Sequence, residues 1–115
     1  MHPRSKGLLS DARVAAANAK EHLGSKSLDQ YANNRLIVAA VEREMEIVGE
    51  ALNELRRIDP ETAASVPDIH KAVALRNIIT HAYRDIDYVT IWETVTNNVP
   101  ALIDNLDKLL GYGCQ

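Results

Sequence analysis

The side chains best equipped for chemistry crowd into Ala74-Leu75-Arg76-Asn77-Ile78-Ile79-Thr80-His81-Ala82-Tyr83-Arg84, a stretch that combines an arginine, a histidine and a tyrosine. A guanidinium is a permanently charged fork of donors that matches phosphate oxygens, and an imidazole is the side chain most readily made to give or take a proton near neutral pH. Together they point to phosphate chemistry. On a helix at about 100° per residue, Arg76 and Tyr83 are nearly eclipsed, whereas Arg76 and His81 point about 140° apart. One straight helix therefore does not converge all three. Convergence requires the helix to end or bend near Thr80-His81, a mobile Arg76 side chain, or a second copy of the segment from a partner subunit.

The elements that must position this stretch are helical. Apolar residues make up 46% of the 115-residue chain and charged ones 25%, a globular balance, and only five Gly and four Pro interrupt long periodic segments. The length fits a single domain spanning residues 1–115. From about Arg4 to Leu23, Leu8, Leu9, Ala12, Ala15, Ala16, Ala19 and Leu23 form an apolar stripe at helical spacing, and Gly24 can close the helix with a positive φ. Ser27-Leu28-Asp29-Gln30 has the capping-box pattern that starts a second helix, with Asn33-Asn34 as a kink or brief break. Ile37, Val41, Met45, Val48, Leu52 and Leu55 then mark the principal core helix, the whole run from Leu28 to Arg57 being roughly 45 Å long.

Glu42, Glu46, Glu50 and Asn53 follow one side of that helix and read first as a solvated face. Gly49 is the exception, because a mid-helix glycine costs about 1 kcal/mol unless another helix approaches closely there. If the approaching helix carries Arg76, Glu50 can orient the guanidinium. Asp59-Pro60-Glu61 is an N-cap, a proline at the first helical position and an acid suited to the helix dipole, predicting a short turn over 61–64. A third helix from about Asp68 to Tyr83 places His70, Asn77, His81 and Arg84 in one polar stripe, the candidate site wall. Asp87 caps a last helix through Leu109, which Pro100 should kink. Four main helices with short links, and no strand pattern, predict an all-α antiparallel bundle with short extra helical turns.

Charge and composition bound the function. A net charge of −3 argues against a general nucleic-acid coat, whereas 70–84 holds Lys71, Arg76 and Arg84 with no acid. Such a site would grip one or two phosphates rather than a long track. No apolar run is long enough to span a bilayer and no signal core follows the N-terminus, so a cytoplasmic protein is expected. The lone Cys114 permits no intrachain disulfide, and two histidines eleven residues apart lack zinc-ligand spacing, so neither metal nor cofactor is expected.

The order Val41-Glu42-Arg43-Glu44-Met45-Glu46-Ile47-Val48-Gly49-Glu50-Ala51-Leu52, then Leu75 through Tyr83, then Asp87 through Trp92 and Val99-Pro100-Ala101-Leu102, resembles the HEPN superfamily and within it the HepT-like toxins. The family signature, arginine, four to six residues, histidine, one residue, tyrosine, is met here by Arg76, His81 and Tyr83. The resemblance implies a homodimeric, metal-independent endoribonuclease acting on RNA such as tRNA or mRNA. Arg76 and His81 would be catalytic, with Asn77 and Glu50 in support. It also implies a type VII-like toxin-antitoxin pair, in which a nucleotidyltransferase antitoxin adenylylates Tyr83. A different class fits the same residues: a non-enzymatic HEPN subunit that binds nucleotide or docks the nucleotidyltransferase and offers it Tyr83.

Overall fold

A computed structural model describes residues 1–81 and 87–111, and among these every element is helical. The order is α1 (Ser5–Leu23), α2 (Leu28–Ala32), α3 (Arg35–Ile58), α4 (Pro60–Ala63), α5 (Ile69–His81), α6 (Tyr88–Glu93), a π-helical turn (Thr94–Asn98) and α7 (Val99–Leu110). The alanine-rich face of α1 packs on α3 and also meets α7, while α5 lies along the other flank of α3. Leu9, Ala12, Ala16, Val41, Met45, Val48, Leu52, Leu55 and Leu106 are fully or almost fully buried between them. All but Leu106 are residues whose helical spacing marked the core.

Local chemistry sets the boundaries. Gly24 closes α1 at φ +58°, donating its N–H to the Lys20 carbonyl. At the start of α2 the Ser27 hydroxyl accepts from the Gln30 N–H while the Gln30 amide oxygen accepts from the Ser27 N–H, a complete capping box. The expected interruption at Asn33-Asn34 is a full break. Asn33 closes α2 and Asn34 opens α3, its side-chain oxygen accepting from the Ile37 N–H at 3.1 Å. Asp59 caps α4 over Pro60 and does more than cap. Its carboxylate also accepts from the Ser5 hydroxyl at 2.6 Å and the His2 N–H at 3.0 Å, tying the start of α1 to the end of α3.

One helix differs from its sequence expectation. The run after Asp87 is not one uninterrupted α-helix up to Pro100. The turn before it widens to a π-helix, in which the Val99 N–H reaches back to the Thr94 carbonyl. A proline lacks the donor that would continue the α pattern and crowds the preceding turn, so loosening that turn relieves both problems. The third helix is described from Ile69 to His81, and the expected extension through Tyr83 and Arg84 lies outside the described residues, as does Cys114.

Candidate active site

α5 lies unusually close to α3 at one point. A Cβ added to Gly49 would overlap the Arg76 Cβ and stand 2.8 Å from the Arg76 Cγ and 2.9 Å from the Ala72 carbonyl oxygen. Only glycine fits. The contact anticipated from a mid-helix glycine thus exists, and the residue it seats is Arg76.

The guanidinium is half-buried and incompletely satisfied. Its Nη1 donates to the Asn77 Oδ1 at 3.0 Å, and its Nη2 stands 3.9 Å from the Glu50 Oε1. Nε is buried with no hydrogen-bond partner. Glu50 was expected to orient the arginine, but its carboxylate sits at the outer limit of an ion pair with 46% of the side chain exposed, where attraction is weak. Asn77 is the closer partner. An amide neutralises no charge, so an incoming anion competes only with the weak, exposed Glu50 contact.

His81 is exposed at the C-terminal end of α5 and shares an exposed face with His70 and Asn77, the stripe expected from spacing. α5 is continuous from Arg76 to His81, so the two side chains diverge by about 140° along it. A bend between Arg76 and His81 is therefore not the way the two converge. An end of the helix at His81, the last residue of α5, a mobile Arg76 or a second copy of α5 remains. Ile78, which precedes His81 by one helical turn, is an exposed apolar residue that also lines a groove of about 370 Å³ between α5 and α7, with Leu75, Val99 and Leu102 among its walls.

The acidic row of α3 is less solvated than its sequence suggested. Glu46 accepts from the Thr80 hydroxyl at 3.2 Å and lies 3.6 Å from the Arg43 guanidinium. One turn earlier, the Glu42 Oε2 is buried without a partner, and burial, followed by the neighbouring Glu46 carboxylate, pushes the Glu42 carboxyl above its ordinary range. Sequence reasoning missed both residues. The available signal was register: once Gly49 is matched to Arg76 in an antiparallel pair, Glu46 falls opposite Thr80. Tyr83, the expected modification site, lies outside the described residues. Among the described residues no three His, Cys, Asp or Glu side chains gather, and no helix is long and apolar enough to cross a membrane.

Known proteins share this arrangement of sequence. The family model described as "Ribonuclease HepT-like" matches residues 12–109. A Methanocaldococcus jannaschii protein named as an inferred RNase is 34% identical over 97 residues, which cover 84% of this chain and 88% of that one. A Thermococcus cleftensis protein named as an inferred ribonuclease HepT is 28% identical over 108 residues, covering 90% and 94%. A Caldanaerobacter subterraneus protein, also named as an inferred RNase, is 29% identical over 91 residues, covering 78% and 80%. No solved structure matches the chain.

Proposed function

The chain belongs to the HepT-like ribonuclease family, and from that premise we propose that it is a metal-independent endoribonuclease toxin whose catalytic residues are Arg76 and His81. The observation that carries this reading is the Arg76 guanidinium, fixed at its root by the contact with Gly49, hydrogen-bonded only to the neutral Asn77 amide and weakly paired with the exposed Glu50 carboxylate at 3.9 Å. A phosphate is the natural complement of such a group. In the proposed reaction the His81 imidazole takes the proton of an RNA 2′-hydroxyl. The freed oxygen attacks the adjacent phosphorus in line, and the bond to the 5′-oxygen of the next nucleotide breaks. Arg76 stabilises the charge that gathers on the non-bridging oxygens.

The departing 5′-oxygen needs a proton, and one chain supplies one motif histidine. A two-fold dimer would bring two His81 side chains to one cleft, one as base and the other as acid. The apolar Ile78 beside His81, and the groove it borders, favour such an arrangement. Regulation follows from the same charge. Adenylylation of Tyr83 by a partner nucleotidyltransferase would add a bulky anion seven residues from Arg76 and exclude RNA phosphates.

The test is direct. Purified chain incubated with RNA and EDTA should yield discrete fragments, His81→Ala should yield none, and light scattering at micromolar concentration should give the mass of a dimer. Activity that EDTA abolishes and Mg²⁺ restores would refute metal independence, and a monomer that cleaves at full rate would refute the two-histidine cleft.

A further inference from the structure

A second cationic feature lies apart from Arg76. A shallow cleft of about 600 Å³ opens between the α1–α2 connection and the α2–α3 junction, lined by Lys26, Gln30, Asn33, Asn34, Arg35 and Leu36. Its walls are fastened. The capping box fixes Ser27 to Gln30, the Asn33 amide donates to the Asp29 carbonyl at 2.9 Å, and the Asn34 side chain caps α3. The Trp92 indole donates to the Lys26 carbonyl at 3.0 Å, anchoring the same corner to α6.

Its charges, by contrast, are unspent. Neither the Lys26 ammonium nor the Arg35 guanidinium makes an ion pair or side-chain hydrogen bond among the described residues, and no acid lines the cleft. Leu36 projects beside them with 84% of its surface exposed, more than any other large apolar side chain described. Two free cations, three amide side chains and a bare aliphatic surface match the parts of a nucleotide: phosphate, base edge and base face. On a chain of net charge −3, a polyanion can be held only where acids are locally absent.

Position gives the cleft a role. Arg35 and Glu46 share α3 and are eleven residues apart, about 16 Å along its axis, and Glu46 receives the Thr80 hydroxyl next to His81. That separation is spanned by a few nucleotides of single strand. We propose that the Lys26–Arg35 cleft is a second phosphate-binding subsite that holds the RNA strand a few nucleotides from the bond cut at His81. The proposal rests on the ribonuclease reading for its ligand.

The experiment compares salt dependence. In a His81→Ala background, binding of a single-stranded oligoribonucleotide is titrated at several salt concentrations, with and without Lys26→Gln plus Arg35→Gln. Each lost phosphate contact lowers the slope of log affinity against log salt by about 0.7, so the double substitution should lower it by about 1.4. Lys20→Gln plus Lys108→Gln, which removes the same charge elsewhere, should leave the slope in place. With His81 restored, the Lys26/Arg35 variant should cut a dinucleotide too short to reach the cleft at the unaltered rate. An unchanged slope in the Lys26/Arg35 variant, or an equal loss in the control, overturns the subsite. The binding readout requires no cleavage, so a chain that binds with the full slope yet never cuts contradicts the ribonuclease reading and leaves the cleft standing.

Discussion

Gly49→Ala is the substitution whose outcome the structure constrains most tightly. Alanine is the better helix former, and in an open helix the change would stabilise by about 1 kcal/mol. Here the new methyl would meet the Arg76 Cγ at 2.8 Å and overlap its Cβ. Carbon atoms pack at about 3.5–4.0 Å, so α5 must move away from α3 by about 1 Å or more. The obstructing atoms are the Arg76 Cβ and Cγ and the Ala72 carbonyl, none of them the far end of a flexible side chain. Overpacking of this kind costs about 1–3 kcal/mol, and the upper part of that range applies when backbone must shift. Set against the gain in propensity, the net loss is about 2 kcal/mol, a fall in Tm of roughly 8 °C for a domain of this size. The same shift displaces Arg76, and a misplacement of about 1 Å in a catalytic group can cost about 10²-fold in rate. Urea unfolding gives the first quantity, and RNA cleavage well below the lowered Tm gives the second. A Gly49→Ala chain at least as stable as the parent, cutting RNA at the parental rate, would refute both the close contact and its connection to catalysis.

Other outcomes follow from single contacts. Arg76→Ala should lower turnover by about 10²–10³-fold with little effect on unfolding, and Arg76→Lys should rescue poorly because an ammonium cannot reproduce the forked contact; steady-state cleavage checks both. Asn34→Ala removes the cap that starts α3 after the break and should cost about 0.5–2 kcal/mol by urea unfolding. The Ser5 hydroxyl first, then Thr62 and the His2 N–H, hold the Asp59 carboxyl well below the usual carboxylate range. Because the folded value is depressed, this stabilisation is fully present above the unfolded value near 3.9 and is lost as pH falls through and below it. Asp59→Asn should therefore flatten the acid limb of a Tm-against-pH curve. Incubation with a cognate nucleotidyltransferase and ATP should add mass to the wild-type chain and not to Tyr83→Phe, and equal labelling of the two by intact mass would show that another residue is the acceptor.

Much of the helical order was legible because its causes are local. Ser27 and Gln30, Asn34, and Asp59 with Pro60 each set a boundary with side chains a few residues away, so the pattern of types suffices to read them. Gly49 was legible for a different reason: a mid-helix glycine is unfavourable alone and so announces a neighbour. What spacing could not supply is which side chains meet across that contact. Asn77, not Glu50, takes the near position on Arg76, and Glu46 serves Thr80 rather than solvent. The π turn before Pro100 also escaped, since proline signals that a helix must adjust without saying where the slack will be taken up. The relation of Arg76 to His81 was bounded by helix geometry from the start, and α5, helical through His81, removes a bend between the two and leaves a helix end at His81, a mobile side chain or a second chain.

The central claim, transesterification through the 2′-hydroxyl by Arg76 and His81, is tested most directly by the ends of the products. An RNA with one scissile nucleotide should give a 5′ fragment ending in a 2′,3′-cyclic phosphate, and the same RNA with a single 2′-deoxy substitution at that nucleotide should be bound and not cut, because the nucleophile is missing. Cleavage of the deoxy substrate at the same bond, leaving a 3′-hydroxyl or a linear phosphate, would contradict the mechanism and point instead to an activated water.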